Sequence, residues 1–190
     1  MAHALRAFAA EAFFCPDTEH QRPKIRVVSY RAHNVAAAVM AFAAPALAQN
    51  AGQIARVEGG ASCAGCDLLQ IDLSYQVVTN RDFSGARLMQ GGFTAGIYDG
   101  VRFSGANLRF LEGSASRFSR ANFTGADLSE ASLVGSYFGG ARFTRANLTG
   151  ANLSGSDFSS ATGLTQAQLD TACGDADTRL PSGLTVPVCR

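Results

Sequence analysis

The chain has 190 residues, of which 47% are hydrophobic and 16% charged, and its formal net charge is +1. This composition excludes a disordered chain, and the near-zero charge excludes strong attraction to nucleic acid or an anionic membrane. From Gln49 onward the sequence has no histidine or lysine, and its eleven arginines face twelve acidic residues. This part therefore lacks the commonest general bases and Schiff-base nucleophiles, which argues against an enzyme.

A short apolar run, VAAAVMAFAAPALA, occupies residues 35–48 and follows several basic residues. Its small residues Ala46 and Ala48 stand where signal peptidases require them, so the pattern predicts cleavage between Ala48 and Gln49. The run is too short for a transmembrane helix, and no stable membrane span is expected after processing. An ordinary buried, alanine-rich helix is the alternative interpretation.

From Cys66 onward a five-residue pattern recurs, with a small residue two positions before an apolar centre. Five matches neither the helical period of 3.6 nor the strand period of 2. Every fourth centre repeats the same side-chain type, which predicts coils of 20 residues that stack around a common lumen. Two of the four columns of centres are uniform: Leu68, Leu88, Leu108, Leu128 and Leu148, and Phe83, Phe103, Phe123 and Phe143.

The order of alanine, then aspartate or asparagine, then leucine or phenylalanine resembles the pentapeptide-repeat family. The resemblance implies an all-β fold, a right-handed quadrilateral β-helix, and a capping-box pattern after Leu164 predicts a short α-helical cap over 166–173. The predicted organisation is an N-terminal extension with the signal region (1–48), a lead-in (49–62), the solenoid (63–162), and a C-terminal cap and tail (163–190).

Three places depart from the repeat. Gln76 and Arg81 stand where a small residue belongs, and Leu111–Gly113 disturb another pentad. Bulges or short outward loops are one interpretation of these departures, and local repair of packing is the other. In a regular pentad, Gly125 should face solvent, so we expect Gly125→Ser to change stability by no more than about 0.5 kcal/mol.

Four cysteines follow the predicted cleavage site, an even number that is typical of disulfides in exported proteins. Since a solenoid of about 24 Å separates its two ends far beyond the ~7 Å limit between bonded Cα atoms, we expect Cys63–Cys66 and Cys173–Cys189 pairs. A redox or zinc site at Cys63–Cys66 is the alternative, but the sequence around it offers no βαβ pattern and no further ligands. No metal or cofactor is expected.

The sequence thus predicts a non-enzymatic structural or protein-binding module of the cell envelope, periplasmic or secreted. The candidate interface is an outward apolar line on the third face, which Arg117 interrupts: Val77, Ile97 and Tyr137. Scattered apolar residues are common on protein surfaces, and that is the alternative interpretation. The expected partner is an unidentified protein rather than nucleic acid, and a homodimer is the other assembly that the sequence allows.

A second function follows from the resemblance, because some members of the family resemble DNA and bind topoisomerases. A cytoplasmic DNA mimic needs a strongly negative column, whereas residues 63–162 hold eight acidic residues and eight arginines. The neutral charge and the predicted export both argue against this alternative.

Overall fold

A computed structural model describes residues 50–190 of the chain. The predicted signal region over 1–48, together with the cleavage position at Ala48 and Gln49, lies outside the described residues. Two helices, α1 (Ala51–Glu58) and α2 (Gln166–Leu169), flank the repetitive region. Over the range 50–190, no helix is both long and apolar enough to cross a bilayer.

The repetitive region pairs through single-residue parallel bridges between positions 20 residues apart. Each coil carries four such bridges, and we call the four columns of bridges that begin at Asp67, Asp72, Val77 and Asp82 the first to fourth faces. Hydrogen bonds join each coil to the coils on both sides: Phe123 N donates to Arg142 O at 2.8 Å, and Asn122 N donates to Val101 O at 2.9 Å. The predicted 20-residue period is confirmed.

The chain passes from one face to the next through a tight turn. In one such turn Ala126 N donates to Phe123 O at 2.9 Å, and Gly125 has a φ of 66°. A residue other than glycine pays roughly 1–2 kcal/mol in this left-handed region. The expectation that Gly125 accepts serine at almost no cost is therefore wrong, because it considers exposure and ignores the backbone.

The lumen is filled by the centres of the pentads. Phe123 is fully buried, and its ring lies 5.2 Å from the ring of Phe103 and 5.0 Å from that of Phe143. The predicted interior phenylalanine stack is thus confirmed. A second stack meets it edge to face, and its members are Tyr98, Phe118, Phe138 and Phe158.

A ladder of buried hydroxyl groups runs along the inner side of the turn between the second and third faces. Its serines are Ser116, Ser136 and Ser156. Ser136 Oγ donates to Gly113 O at 2.6 Å and accepts from Ser116 N at 3.0 Å. One coil earlier the equivalent residue is Gly96, and there Tyr98 Oη donates to Leu73 O at 2.8 Å. The tyrosine hydroxyl therefore replaces a missing serine, and each buried carbonyl keeps a donor.

The departure at Leu111–Gly113 is a packing exchange within a regular backbone. Gly113 N donates to Ser132 O at 2.8 Å, as the ladder requires. A Cβ atom at Gly113 would lie 3.4 Å from Leu111 and 3.2 Å from Leu133, so the buried Leu111 side chain uses the space that Gly113 leaves. The interpretation as a bulge or loop is wrong, and local repair of packing describes this pentad.

Helix α1 lies at the N-terminal end of the solenoid. Asn50 caps it by accepting from Gln53 N at 3.3 Å, and Ile54 and Val57 lie on one side because they are three residues apart. Val57 is fully buried within the core of the solenoid. The lead-in, for which the sequence showed no clear pattern, thus places an apolar side chain over the first coil.

Helix α2 has the predicted capping box, in which Thr165 and Gln168 exchange hydrogen bonds. The helix ends at Leu169, so the predicted range of 166–173 is too long. Cys173 leaves the helical path because it rejoins the ladder, where its amide donates to Ala151 O at 2.9 Å. The tail also pairs again, since Arg179 bridges Asp157 of the third face.

The structure places both predicted cysteine pairs at bonding distance. The S–S distance is 1.96 Å for Cys63–Cys66 and 2.00 Å for Cys173–Cys189. One bond fixes the first turn of the first coil, and the other ties the tail to residue 173 at the opposite end. Each bond therefore constrains one end of the solenoid.

Candidate interaction surface

The predicted apolar line forms a single column of bridges on the third face. Val77 pairs with Ile97, Ile97 with Arg117, and Arg117 with Tyr137. Val77 is 65% exposed and Tyr137 44% exposed, while Ile97 is half-buried. The structure therefore brings the three residues into register, and their role as an interface stays a prediction.

Arg117 divides the line in two, and an acid on a neighbouring turn fixes its position. Its Nε and Nη2 atoms lie 3.1 and 2.6 Å from the carboxylate oxygens of Asp99. Burial alone would raise the pKa of Asp99, but hydrogen bonds from Arg117 and Ser119 lower it below its usual value. A paired charge in the middle of the column separates Tyr137 from Val77 and Ile97, so the apolar surface concentrates near the first coil.

The turn before Val77 adds the most exposed large apolar side chain of the described region. Tyr75 is 78% exposed and sits at a left-handed position with a φ of 61°. We call Tyr75, Val77 and Ile97 the apolar corner. Phe110 is exposed and Met89 is half-buried, but both lie on other turns.

A groove of about 250 Å³ opens beside the apolar corner, between the end of α1 and the second and third faces of the first coil. Val57, Gln76, Val77 and Arg81 are among the residues that line it. Arg81 is one of the two irregular positions, and its Nη1 donates to Val57 O at 2.8 Å, near the C-terminal end of α1. Arg81 thus anchors the helix from a position where alanine would normally fill a corner.

Gln76, the other irregular position, is exposed on the same groove. The backbone is regular at both positions, since Ile97 N donates to Gln76 O and Arg102 N donates to Arg81 O, each at 2.9 Å. The interpretation of these positions as loops or bulges is therefore wrong. Their long side chains lie toward the N-terminal end of the first coil, where Arg81 contacts Val57 O and Gln76 lines the groove.

The acidic side chains of the first coil differ in their partners. Asp67 lies 3.1 Å from Arg87 Nε, and Asp82 lies 3.0 Å from Arg102 Nη2, each one coil further on. Asp72 is followed in its column by Gly92 and forms no ion pair with any residue between 50 and 190. Hydrogen bonds from Ser74 lower the pKa of Asp72, so its carboxylate is charged at neutral pH.

Within the described part of the chain, no three histidine, cysteine, aspartate or glutamate side chains form a group suited to a metal ion.

Sequence reasoning placed Val77 and Ile97 correctly on one outward column. It did not identify Asp72 or the groove, although the glycine at 92 and the two irregular residues were signals available in the sequence. Their meaning depends on the position of α1, which the repeat does not encode.

A scan against family models finds the family described as "Pentapeptide repeats", with eight copies over residues 99–135 and 121–159. No curated protein matches the sequence. Among solved structures, the chain is similar to Rfr23, a pentapeptide repeat protein from the cyanobacterium Cyanothece 51142. That match has 22% identity and a TM-score of 0.39, and it covers 69% of this chain and 99% of the other.

Two further structures are similar to this chain. HetL, described as involved in heterocyst differentiation regulation in Nostoc sp. strain PCC 7120, shares 23% identity, with coverage of 67% and 54% and a TM-score of 0.38. QnrB1, described as a plasmid-mediated fluoroquinolone resistance protein, shares 17% identity, with coverage of 65% and 78% and a TM-score of 0.41. The chain thus spans about half the length of HetL.

Proposed function

The chain belongs to the pentapeptide-repeat family, and we propose that it is an exported, non-enzymatic module that binds another protein at its apolar corner. Proteins of this family form a right-handed β-helix and generally serve as structural or binding modules. The proposal includes a four-sided coil, which the four bridges per coil support, and a helical cap, which α2 supports. It also places the mature protein in the periplasm or outside the cell.

One observation carries the binding proposal: two strongly exposed apolar side chains, Tyr75 and Val77, lie on one corner of the first coil, and Ile97 pairs with Val77 one coil further on. Tyr75 and Val77 are the most exposed large apolar residues of the solenoid, and only one residue separates them in sequence. Interfaces are enriched in tyrosine, and a central apolar contact of this kind is a common anchor for a partner. The corner lies beside a groove, which gives a partner both apolar area and a defined shape.

Two features support export. The first is the apolar run at 35–48, which ends in the small-residue pattern of a signal peptidase site. The second is the pair of disulfides, Cys63–Cys66 and Cys173–Cys189, because such bonds persist mainly in oxidising compartments.

The test uses the full chain expressed in cells, with a photo-crosslinking amino acid at Val77. As a matched control, the same amino acid replaces Arg142, an exposed residue on the fourth face. We expect one discrete crosslinked protein from the Val77 variant and none from the Arg142 variant, with the mature chain beginning at Gln49 by mass spectrometry. An intact cytoplasmic chain that begins at Met1, or equal crosslinking from both variants, would contradict the proposal.

A further inference from the structure

The main-chain amides at the N-terminal edge of the first coil differ in whether they have an acceptor. Asp67 N donates to Gln53 Oε1 at 2.7 Å, and Asp82 N donates to Ser62 Oγ at 3.0 Å. The amides of Asp72 and Val77 have no acceptor among residues 50–190. The lead-in therefore covers the first and fourth faces of the edge and leaves the second and third open.

The next coil shows which partner these amides lack. Gly92 N donates to Ile71 O at 2.9 Å, and Ile97 N donates to Gln76 O at 2.9 Å. The two acceptors are carbonyls five residues apart in an extended chain that turns once between them. A segment lying below the first coil with the same spacing would satisfy Asp72 N and Val77 N in the same way. An exposed row of unpaired amides is a template for strand addition.

The side chains along the open edge define the chemistry of such a segment. In each column, a residue faces its bridge partner one coil away, and acids of the first coil otherwise face arginines. Asp72 has no arginine, and Glu58 lies on the same groove without an ion pair among the described residues. Arg81, the groove's cation, already donates to Val57 O. The position opposite Asp72 therefore favours a lysine or arginine.

The position opposite Val77 favours an apolar residue. Val77 is 65% exposed, and Tyr75 stands at the turn that the segment would follow. Val57 already fills the lumen at this end, so the segment's inward side chains must be small. These requirements together describe a short pattern: a basic residue, a turn of small residues, and an apolar residue five positions after the basic one.

We infer that the open edge, the main chain of residues 72–79, binds an extended segment of another protein with this basic and apolar pattern. The inference rests on the proposed function and specifies how the partner contacts the apolar corner. Backbone hydrogen bonds to Asp72 N and Val77 N supply the pairing, and Asp72 selects a positive charge. A second copy of this chain is a competing occupant that the experiment must separate.

The experiment titrates the processed protein, beginning at Gln49, with the synthetic peptide ARASGAVA, and follows amide signals by NMR. We expect the Asp72 and Val77 amides to shift and their hydrogen exchange to slow by about tenfold at saturation. The peptide AEASGAVA, which carries glutamate in place of arginine, should bind more weakly. Asp72→Asn should weaken binding of ARASGAVA by roughly two- to fivefold, as for an exposed ion pair.

Asp67→Asn is the matched control, because Asp67 lies on the same coil but already faces Arg87. Equal weakening by both variants, or no shift of Asp72 and Val77 at millimolar peptide, would overturn the inference. Protection of these amides without peptide, rising with protein concentration, would assign the edge to a second copy instead. If the peptide fails while the Val77 crosslink in cells succeeds, the proposed function stands and this mode of binding falls.

Discussion

The two ends of the solenoid are closed to different extents. At the C-terminal end, backbone carbonyls accept from the edge of three faces: Phe143 N donates to Thr162 O, Leu153 N to Cys173 O, and Phe158 N to Arg179 O. Gln168 covers the turn that leads to the remaining face, because its Nε2 donates to Phe143 O at 2.9 Å and to Ala146 O at 2.7 Å. At the N-terminal end, the side chains of residues 50–62 cover two faces, those that begin at Asp67 and Asp82.

This difference shows that a repeat specifies its own stacking but not its ends. Every interior coil receives the same hydrogen bonds from its neighbours, so the repeat alone determines them. An end needs separate sequence to satisfy its edge, and the C-terminal 28 residues provide it with a helix, a returning tail and a disulfide. The lead-in to the first coil supplies acceptors for fewer edge amides. The proposed binding site lies at the amides of Asp72 and Val77, to which residues 50–62 of the lead-in supply none.

The largest expected effect compares the middle of the lumen with the less covered end. Phe123→Ala should cost about 3–5 kcal/mol, because the ring has aromatic neighbours on both sides and the cavity cannot collapse. Phe83→Ala should cost less, since Phe83 contacts one aromatic ring among residues 50–190, that of Phe103. Denaturant titration measures both, with Thr124→Ser as the control, because Ser104 occupies that position one coil earlier. Equal losses of stability for Phe123→Ala and Thr124→Ser would show that the phenylalanine stack is not part of the core.

The second prediction removes the disulfide at the C-terminal end, which is the more completely closed of the two ends. Replacing Cys173 and Cys189 together by serine should cost roughly 3 kcal/mol, because the bond closes a loop with a sequence separation of 16. The matching change at Cys63 and Cys66 should cost less, since that loop has a separation of 3. Thermal unfolding of the two variants compares the ends. A larger loss from the Cys63–Cys66 change would reverse the comparison.

The third prediction concerns the hydroxyl ladder between the ends. Ser136→Ala should cost about 1–3 kcal/mol, because Gly113 O loses a buried donor and Ser116 N loses an acceptor. Ser104→Ala is the control, since Ser104 is only half-buried and lies at a turn. Urea denaturation of both variants should separate them. If the two variants are equally stable, the ladder contributes no net free energy.

The smallest expected effect is a change in the pH dependence of stability when Asp99 is replaced. The pKa of Asp99 is lowered from its usual 3.8, so its contribution to stability is complete above 3.8 and is lost as the pH falls through the folded-state value. Stability of the native protein should therefore fall slightly more steeply below about pH 4 than that of Asp99→Asn. Denaturant titrations from neutral pH to about pH 2 measure the difference. Parallel pH profiles for the two proteins would show that the Arg117 pair is not linked to folding.

The interior of the fold could be predicted from the sequence, because the same physical requirement recurs in each coil. The 20-residue period and the burial of Phe123 follow from spacing alone, and the separation of the ends limits which cysteines can pair. The left-handed conformation at Gly125 was missed, although glycine recurs at that position. The pairing of Tyr98 Oη with Leu73 O was also missed, because it needs the three-dimensional position of a side chain two residues from Gly96.

The open edge could not be predicted, since it depends on which edge amides the lead-in reaches. Gln53 and Ser62 have ordinary polar side chains, and their hydrogen bonds to Asp67 N and Asp82 N exist only because α1 lies over the first coil. The sequence contained the start of that helix, with Asn50 before Ile54 and Val57, but no repeat to confirm it. Single contacts outside a repeat carry little signal in one sequence.

Residue-resolved hydrogen exchange of the protein without any ligand tests the difference between the ends most directly. The amides of Asp72 and Val77 should exchange at least about 100-fold faster than those of Gly92 and Ile97, which occupy the same two faces one coil inward and are hydrogen-bonded. Leu153 N, at the C-terminal edge, should be protected like the interior amides because Cys173 O accepts from it. Similar protection of Asp72, Val77, Gly92 and Ile97 in dilute protein would show that the first coil has no open edge and that the two ends do not differ in this way.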